Sequence, residues 1–257
     1  MTFSIIGHCD RTGAFGAAIT TSDLAVGSRC VRLAHGRGAF LSQHRTDSRL
    51  GDLGISLLRD GASADDAITQ VVASSPDIEW RQLGALDARG QSAVFHGRRM
   101  YSIYTHTGGK NCLALGNILD NERVTAAMAA AFLADPALPL AEKLLLALEA
   151  GQDAGGEVAN ALRSSALHVT GDHGIPSCDL RIDISDGKAV ADLRTLFEAY
   201  KGREAALRAI ALSPDAVPVQ STLFETSIER IAELGLDARF PTALHRDSWT
   251  VAGPERK

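Results

Sequence analysis

The chain has 257 residues, 45% of them apolar and 22% charged, with a formal net charge of −5. That length accommodates one large domain or two small ones with a core of useful size. Mild acidity, with no Lys/Arg cluster interleaved with stacking aromatics, argues against a nucleic-acid partner, and apolar runs such as "LLLALEA" are too short to span a bilayer.

No charged segment followed by an apolar one opens the chain, so a cytoplasmic protein is expected. Aromatic content is only 5%, while Ala and Gly abound. That composition favours close-packed layers with small side chains at the contacts. Cys9, Cys30, Cys112 and Cys178 form no Cys-x-x-Cys pair. Reduced, mostly buried thiols are expected rather than a zinc ribbon or a disulfide framework.

In chain order, "TFSIIG", the turn "DRTG" and "AFGAAITTS" read as a hairpin. "AVGSRCVRLA", "HGRG" and "AFLSQHRT" read as a second strand pair. "DSRLGDLGISLLRDG" is a helix with Asp47 as N-cap and Gly61 closing it. "SADDAITQVVASS" is another, capped by Ser63 with acidic residues in its first turn. Both are expected to pack on the sheet. "RQLGALDARGQSAVFHG" reads strand, turn, strand. "HGRRMYSIYTH" reads as a basic, partly exposed loop, and "NCLALGNIL" as a short buried strand. Two helices follow: "DNERVTAAMAAAFLAD" with an Asp/Asn cap, and "PLAEKLLLALEAG" from Pro139 to Gly151. "SSALHVTGDHGIPSCDLRIDIS" is two strands around a turn. The tail is helical in "AVADLRTLFEAYKGREAALRAIAL" and "LFETSIERIAELGL", and "HRDSWTVAGPERK" is irregular. This order, without strict βαβ alternation, predicts an α+β sandwich of two sheets covered by helices.

The chain has no P-loop, no G-x-S-x-G elbow and no H-E-x-x-H helix. His168, Asp172 and His173 surround a turn and offer one drawable metal site, although ligand spacing of this kind is weak. Thr2 is different. Loss of Met1 leaves an α-amine and a hydroxyl on one residue. The amine, with a pKa of about 7.7–8.0, can itself take the hydroxyl proton. The absence of a Ser-His-Asp arrangement is then no argument against hydrolysis. The plain alternative is a solvated residue opening an edge strand.

Read together, "MTFSIIG", "LAVGSRCVRLAHGRGAFLSQ", "LGDLGISLLRDGASADDAI", "RQLGALDARGQSAVFHG", "LALGNIL", "LALEAGQDAGGE", "RSSALHV" and "DLRID" resemble the domain of unknown function 1028 family. The likeness covers about residues 1–197. It implies the N-terminal nucleophile hydrolase fold, a four-layer αββα sandwich whose first strand opens at a cleft between the sheets. The domain would span residues 1–200, with residues 201–257 as a helical extension. The likeness implies no substrate.

On this reading Thr2 is the nucleophile and, through its amine, the base. Asn117, at the end of a buried strand after a Gly, suits an oxyanion donor. Gln43 ends "AFLSQ" where strand ends feed the cleft. "HRTDSRLG" after it departs from the family pattern, so His44, Arg45 and Asp47 are expected to retune the pocket. Ser22 ends the second strand, and Ser4 shares Thr2's face. Arg81 and Arg181 are candidates for holding a substrate carboxylate. Asp179, Arg181 and Asp183 share one strand face, a pattern more often found in an ion-pair ladder than in a substrate site. Asp153, Gly155, Gly156 and Glu157 read as a helix end. The expected activity is hydrolysis of a small amide, lactam or ureido compound with no metal or organic cofactor, in a monomer or homo-oligomer. The rivals are a non-catalytic ligand-binding or assembly module that keeps Met1, and a metal-dependent hydrolase.

Overall fold

A computed structural model describes residues 1–159, 161–216 and 225–239, in two compact units, Met1–Phe197 and Glu198–Lys257. The first unit is an α+β fold with two antiparallel sheets. In chain order it contains β1 (Thr2–Cys9), β2 (Ala14–Thr21), α1 (Val26–Cys30), β3 (Val31–Ala34), β4 (Gly38–Gln43), α2 (Ser48–Arg59), α3 (Ala64–Ala73), β5 (Gln82–Asp87), β6 (Ser92–His96), β7 (Ile103–Gly109), β8 (Cys112–Leu119), α4 (Val124–Ala134), α5 (Leu140–Asp153), β9 (Ser164–Val169) and β10 (Cys178–Ile182). The helix α6 (Ala189–Lys201) follows. The second unit contains α7 (Glu204–Leu212), α8 (Glu225–Glu233) and α9 (Leu236–Arg239). The irregular "HRDSWTVAGPERK" lies outside the described residues.

One sheet has the order β10-β9-β2-β1-β8-β7, the other β3-β4-β5-β6. β1 is therefore interior to its sheet, between β2 and β8, and not an edge. Its residues are buried almost throughout. Both faces are covered, which explains why Phe3 and Ile5 on one face and Ile6 on the other are all fully buried. One face meets the second sheet through Ile6, Ile19, Leu41, Leu86, Leu113 and Leu115. The other lies under α5, while α4 covers β7 and β8. On the second sheet, α2 and α3 pack against the outer face, over Phe40, Leu83 and Ala85.

Small residues set these separations. A Cβ at Gly7 would lie 2.6 Å from the Phe132 ring of α4, and one at Gly84 would lie 2.4 Å from Leu115 across the sheets. The caps of α2 and α3 are as expected, whereas α4 starts after Arg123 with no side-chain cap, Asn121 closing only the turn before it. Asp47 accepts from the amide of Arg49, and Ser63 from that of Asp66. Asn121 accepts from the amide of Arg123 at the start of α4.

Three expectations are corrected. "AVGSRCVRLA" is not one strand. A short helix, α1, precedes β3, held by Val26 N–H donating to Ser164 Oγ at 3.1 Å and Ala25 N–H to the Asp183 carbonyl at 3.0 Å. "HGRRMYSIYTH" is not only a loop, because β7 pairs with β8 as an edge strand. α5 runs past Gly151 to Asp153, and the turn after it uses Gly155 and Gly156 at positive φ.

Candidate active site at the N-terminal end of the sandwich

Antiparallel order brings one end of each central strand to the same end of the sandwich. Thr2 starts β1, Thr21 ends β2 and Asn117 lies near the end of β8, directly opposite Thr2. On the facing sheet, Gln43, Gln82 and His96 stand in one paired row. The apolar layer between the sheets thus gives way to a polar one around Thr2.

Amide side chains join the two sheets. Ser4 Oγ donates to Gln43 Oε1 at 2.9 Å, Gln43 Nε2 to Gln82 Oε1 at 2.6 Å, and Asn117 Nδ2 to the same oxygen at 2.9 Å. Gln82 Nε2 lies 2.9 Å from the Gly116 carbonyl and 3.1 Å from His96 Nδ1. A carbonyl only accepts, so Gly116 fixes which way the Gln82 amide faces. That orients Gln43, Asn117 and Ser4 in turn. His96 Nδ1 must then accept, which places its proton on Nε2, 3.0 Å from His106 Nδ1. Burial, and then the neighbouring His106, lower the His96 pKa to about 4, so the ring stays neutral.

Thr2 is 7% exposed. Its Oγ1 lies 2.5 Å from the Met1 carbonyl oxygen and 3.3 Å from Thr21 Oγ1. The Thr21 hydroxyl donates to that same carbonyl oxygen. An acyl oxygen beside Thr2 therefore meets a second hydroxyl, from a residue that sequence reasoning passed over.

Several buried acceptors around the N-terminus have no donor among the described residues. They are Asn117 Oδ1, His44 Nε2 and both carboxylate oxygens of Glu157. His44 Nδ1 lies 2.6 Å from the Trp80 carbonyl, so it carries the ring proton and leaves Nε2 an acceptor. Burial lowers the His44 pKa, and the N-terminal charge adds to this. Glu157 is 1% exposed, and burial raises its pKa. Ser22 approaches its carboxylate without reaching hydrogen-bonding geometry, and with the N-terminal charge offsets part of that rise.

The backbone here is strained. Ile118, β-branched, has a φ of 54°, and His44 and Arg45 have φ of 55° and 48°. Such conformations cost energy and concentrate at functional sites.

The structure therefore gathers Thr2, Ser4, Gln43, Asn117 and His44, with Ser22 beside Glu157. Arg81 lies just before β5, and its charge reaches His44 and Asp47. Asp179 and Arg181 are not brought there. They are exposed on β10, an edge strand three places from β1. Strand alternation gives a residue's face but not its strand's place in the sheet. At the turn of His168, Asp172 and His173, the latter two form an exposed pair at 3.7 Å. Among the described residues no three His, Cys, Asp or Glu side chains gather as metal ligands. A cleft of about 280 Å³ opens at the other end of β1, lined by His8, Cys9, Lys110 and Lys143. None of the expected site residues reaches it. Gln82, His96, His106 and Thr21 were missed. The available signal was a polar residue at the same end of each successive buried strand.

Residues 2–193 match the model of a family of unknown function, DUF1028. The chain belongs to that family. The crystal structure of protein SPO2555 from Silicibacter pomeroyi, assigned to DUF1028, superposes with a TM-score of 0.74 at 32% sequence identity, covering 84% of this chain and 94% of that one. No curated protein matches significantly. The DUF1028 match begins at Thr2 and stops before most of α6, so the whole polar layer falls inside it. Among the described residues no helix is long and apolar enough to cross a membrane.

Proposed function

We propose that this DUF1028 protein is an amide hydrolase of the N-terminal nucleophile type, acting through Thr2 once Met1 is removed. The observation that carries the reading is the Thr2 hydroxyl at the end of an interior strand, beside a carbonyl oxygen that Thr21 also grips. The layering supports a four-layer αββα arrangement, since α2 and α3 lie on one sheet, α4 and α5 on the other, and apolar side chains meet between them. Met1 is 37% exposed, which leaves it open to an aminopeptidase.

Thr2 Oγ1 attacks the substrate carbonyl carbon while its proton passes to the Thr2 amine. A C–O bond forms, and the carbonyl pair moves onto oxygen, where the Thr21 hydroxyl and the second N–H of Asn117 are the donors at hand. The C–N bond then breaks and the leaving nitrogen takes the proton. Water attacks the threonyl ester and gives a proton to the amine; the acyl C–Oγ1 bond breaks, Thr2 Oγ1 takes that proton back, and the acid is released. The unfilled acceptors Asn117 Oδ1 and His44 Nε2 favour substrates rich in N–H, such as primary amides or ureido compounds.

Intact mass of the purified chain and turnover of small amides test this reading. The mass should lack Met1, and Thr2→Ala should fold normally yet lose roughly 10³-fold or more in rate. Full activity in Thr2→Ala sinks the mechanism. Retained Met1 would leave the Thr2 and Thr21 hydroxyls occupied by the Met1 carbonyl. That outcome favours a ligand-binding module.

A further inference from the structure

Glu157 has no role in the chemistry above. It is almost fully buried, charged at neutral pH in the unfolded chain, and without a hydrogen-bond partner among the described residues. A buried carboxylate left so costs several kcal/mol unless something pairs with it. Its place in the fold puts it beside the start of β1. The backbone of Glu157 bridges to Leu119 at the end of β8, and Val158 N–H donates to the Ile118 carbonyl. Its side chain lies beside Ser22, just past the end of β2. β1 runs between β8 and β2. A residue reaching from one to the other, two strand spacings or about 9–10 Å, crosses the start of β1. Gly156 corroborates this, since a Cβ there would sit 3.4 Å from the Phe3 ring. Glu157 thus lies across the place where the chain begins.

We propose that Glu157 is the partner of the mature N-terminus: once Met1 is gone, its carboxylate pairs with the α-ammonium of Thr2 and holds the amine beside the Thr2 hydroxyl. This rests on the loss of Met1 proposed above. Glu157 is a positioning residue. It fixes the Thr2 N–Cα orientation and serves as a second home for one proton. The ammonium passes that proton to the carboxylate, giving an amine and a carboxylic acid, and the freed amine then takes the hydroxyl proton during attack. No proton is gained or lost by the pair. The N-terminal charge also reaches His44, after β4, and Cys30, in α1. Neither carries a negative charge near neutral pH, whereas the Glu157 carboxylate, which the N-terminal charge also reaches, can supply one.

The test is a titration of the Thr2 amine in chain that begins at Thr2, released from a cleavable fusion. Uniformly ¹³C-labelled threonine reports it by NMR, with the Thr2→Ser spectrum assigning the signal. An isolated α-amine titrates at about 7.7–8.0. In the wild type the amine should titrate about one pH unit or more higher than in Glu157→Gln, a tenfold change in its acidity constant. Glu157→Asp, one methylene shorter, should fall between them and serves if the Gln variant does not fold. Equal titration in wild type and variants overturns the pairing. Retained Met1 in the native chain, or no turnover despite a shifted amine, would count against the hydrolase reading and not against the pairing.

Discussion

The two ends of β5 carry buried polar side chains with opposite fates. At one end Asp87, 2% exposed, has its acceptors filled. Its Oδ1 takes the amides of Arg89 at 2.9 Å and Gln91 at 3.1 Å. Its Oδ2 takes the amide of Ala64, at the start of α3, and the Arg89 guanidinium. Burial pushes the Asp87 pKa up, but those amides and the guanidinium outweigh it, and the carboxyl sits below its usual value. At the Gln82 end the amides satisfy one another, yet Asn117, His44 and the carboxylate of Glu157 keep acceptors open. An equally buried acid is raised there rather than lowered. Asp87 is surrounded by donors belonging to the fold, whereas Glu157 finds none among the described residues.

The sharpest way to break the comparison is to remove its centre at each end. Gln82→Leu orphans donors on Gln43 and Asn117 and an acceptor on Gly116, and should cost about 4 kcal/mol in urea unfolding. Asp87→Ala strips the turn before β6 and the start of α3 of their acceptor, and should cost about 3 kcal/mol. Glu157→Gln in the Met1-bearing chain should be stabilising, by about 1 kcal/mol at neutral pH, because it removes an unpaired charge. A loss as large as that of Asp87→Ala would mean that Glu157 is already satisfied.

The pH dependence distinguishes the two acids by sign. Asp87 is depressed on folding, so its contribution is complete above the ordinary carboxylate pKa and lost as pH falls through its lower folded value. Glu157 is raised, so it penalises the Met1-bearing fold at higher pH. The penalty is relieved as pH falls through its elevated folded value toward the usual carboxylate range. Mild acid should therefore first strengthen and then weaken the fold. Glu157→Gln should erase only the first limb.

Much of this was legible in the residues. Asp47 and Ser63 mark the starts of their helices, and Thr2, Gln43 and Asn117 fall at one end of the two sheets. α1 was missed because Val, Cys and Gly in "VGSRC" form a helix only against Ser164 and Asp183, which are far along the chain. β7 was missed because an edge strand accepts polar residues such as His106 without cost. Glu157 looked like a helix end because its burial depends on β1, β2 and β8 meeting in one sheet. Arg181 was misplaced for the converse reason. Its pattern is local, but its distance from Thr2 is set by the sheet order.

One carbonyl, that of Gly116, orients the amide chain from Ser4 to His96, and this bears on how the protein ages. Conversion of Asn117 to aspartate would replace the donor facing Gln82 Oε1 with a carboxylate oxygen 2.9 Å away. Neither side could turn to recover the bond, because the Gly116 carbonyl forbids the Gln82 flip. A single hydrolytic lesion would then leave Gln82 Oε1 facing an acceptor with no way to turn from it. The next residue is Ile118, whose bulk beside a buried, hydrogen-bonded strand hinders the ring closure that such damage requires. The chain thus guards this buried amide with the same strained residue that follows it at the end of β8.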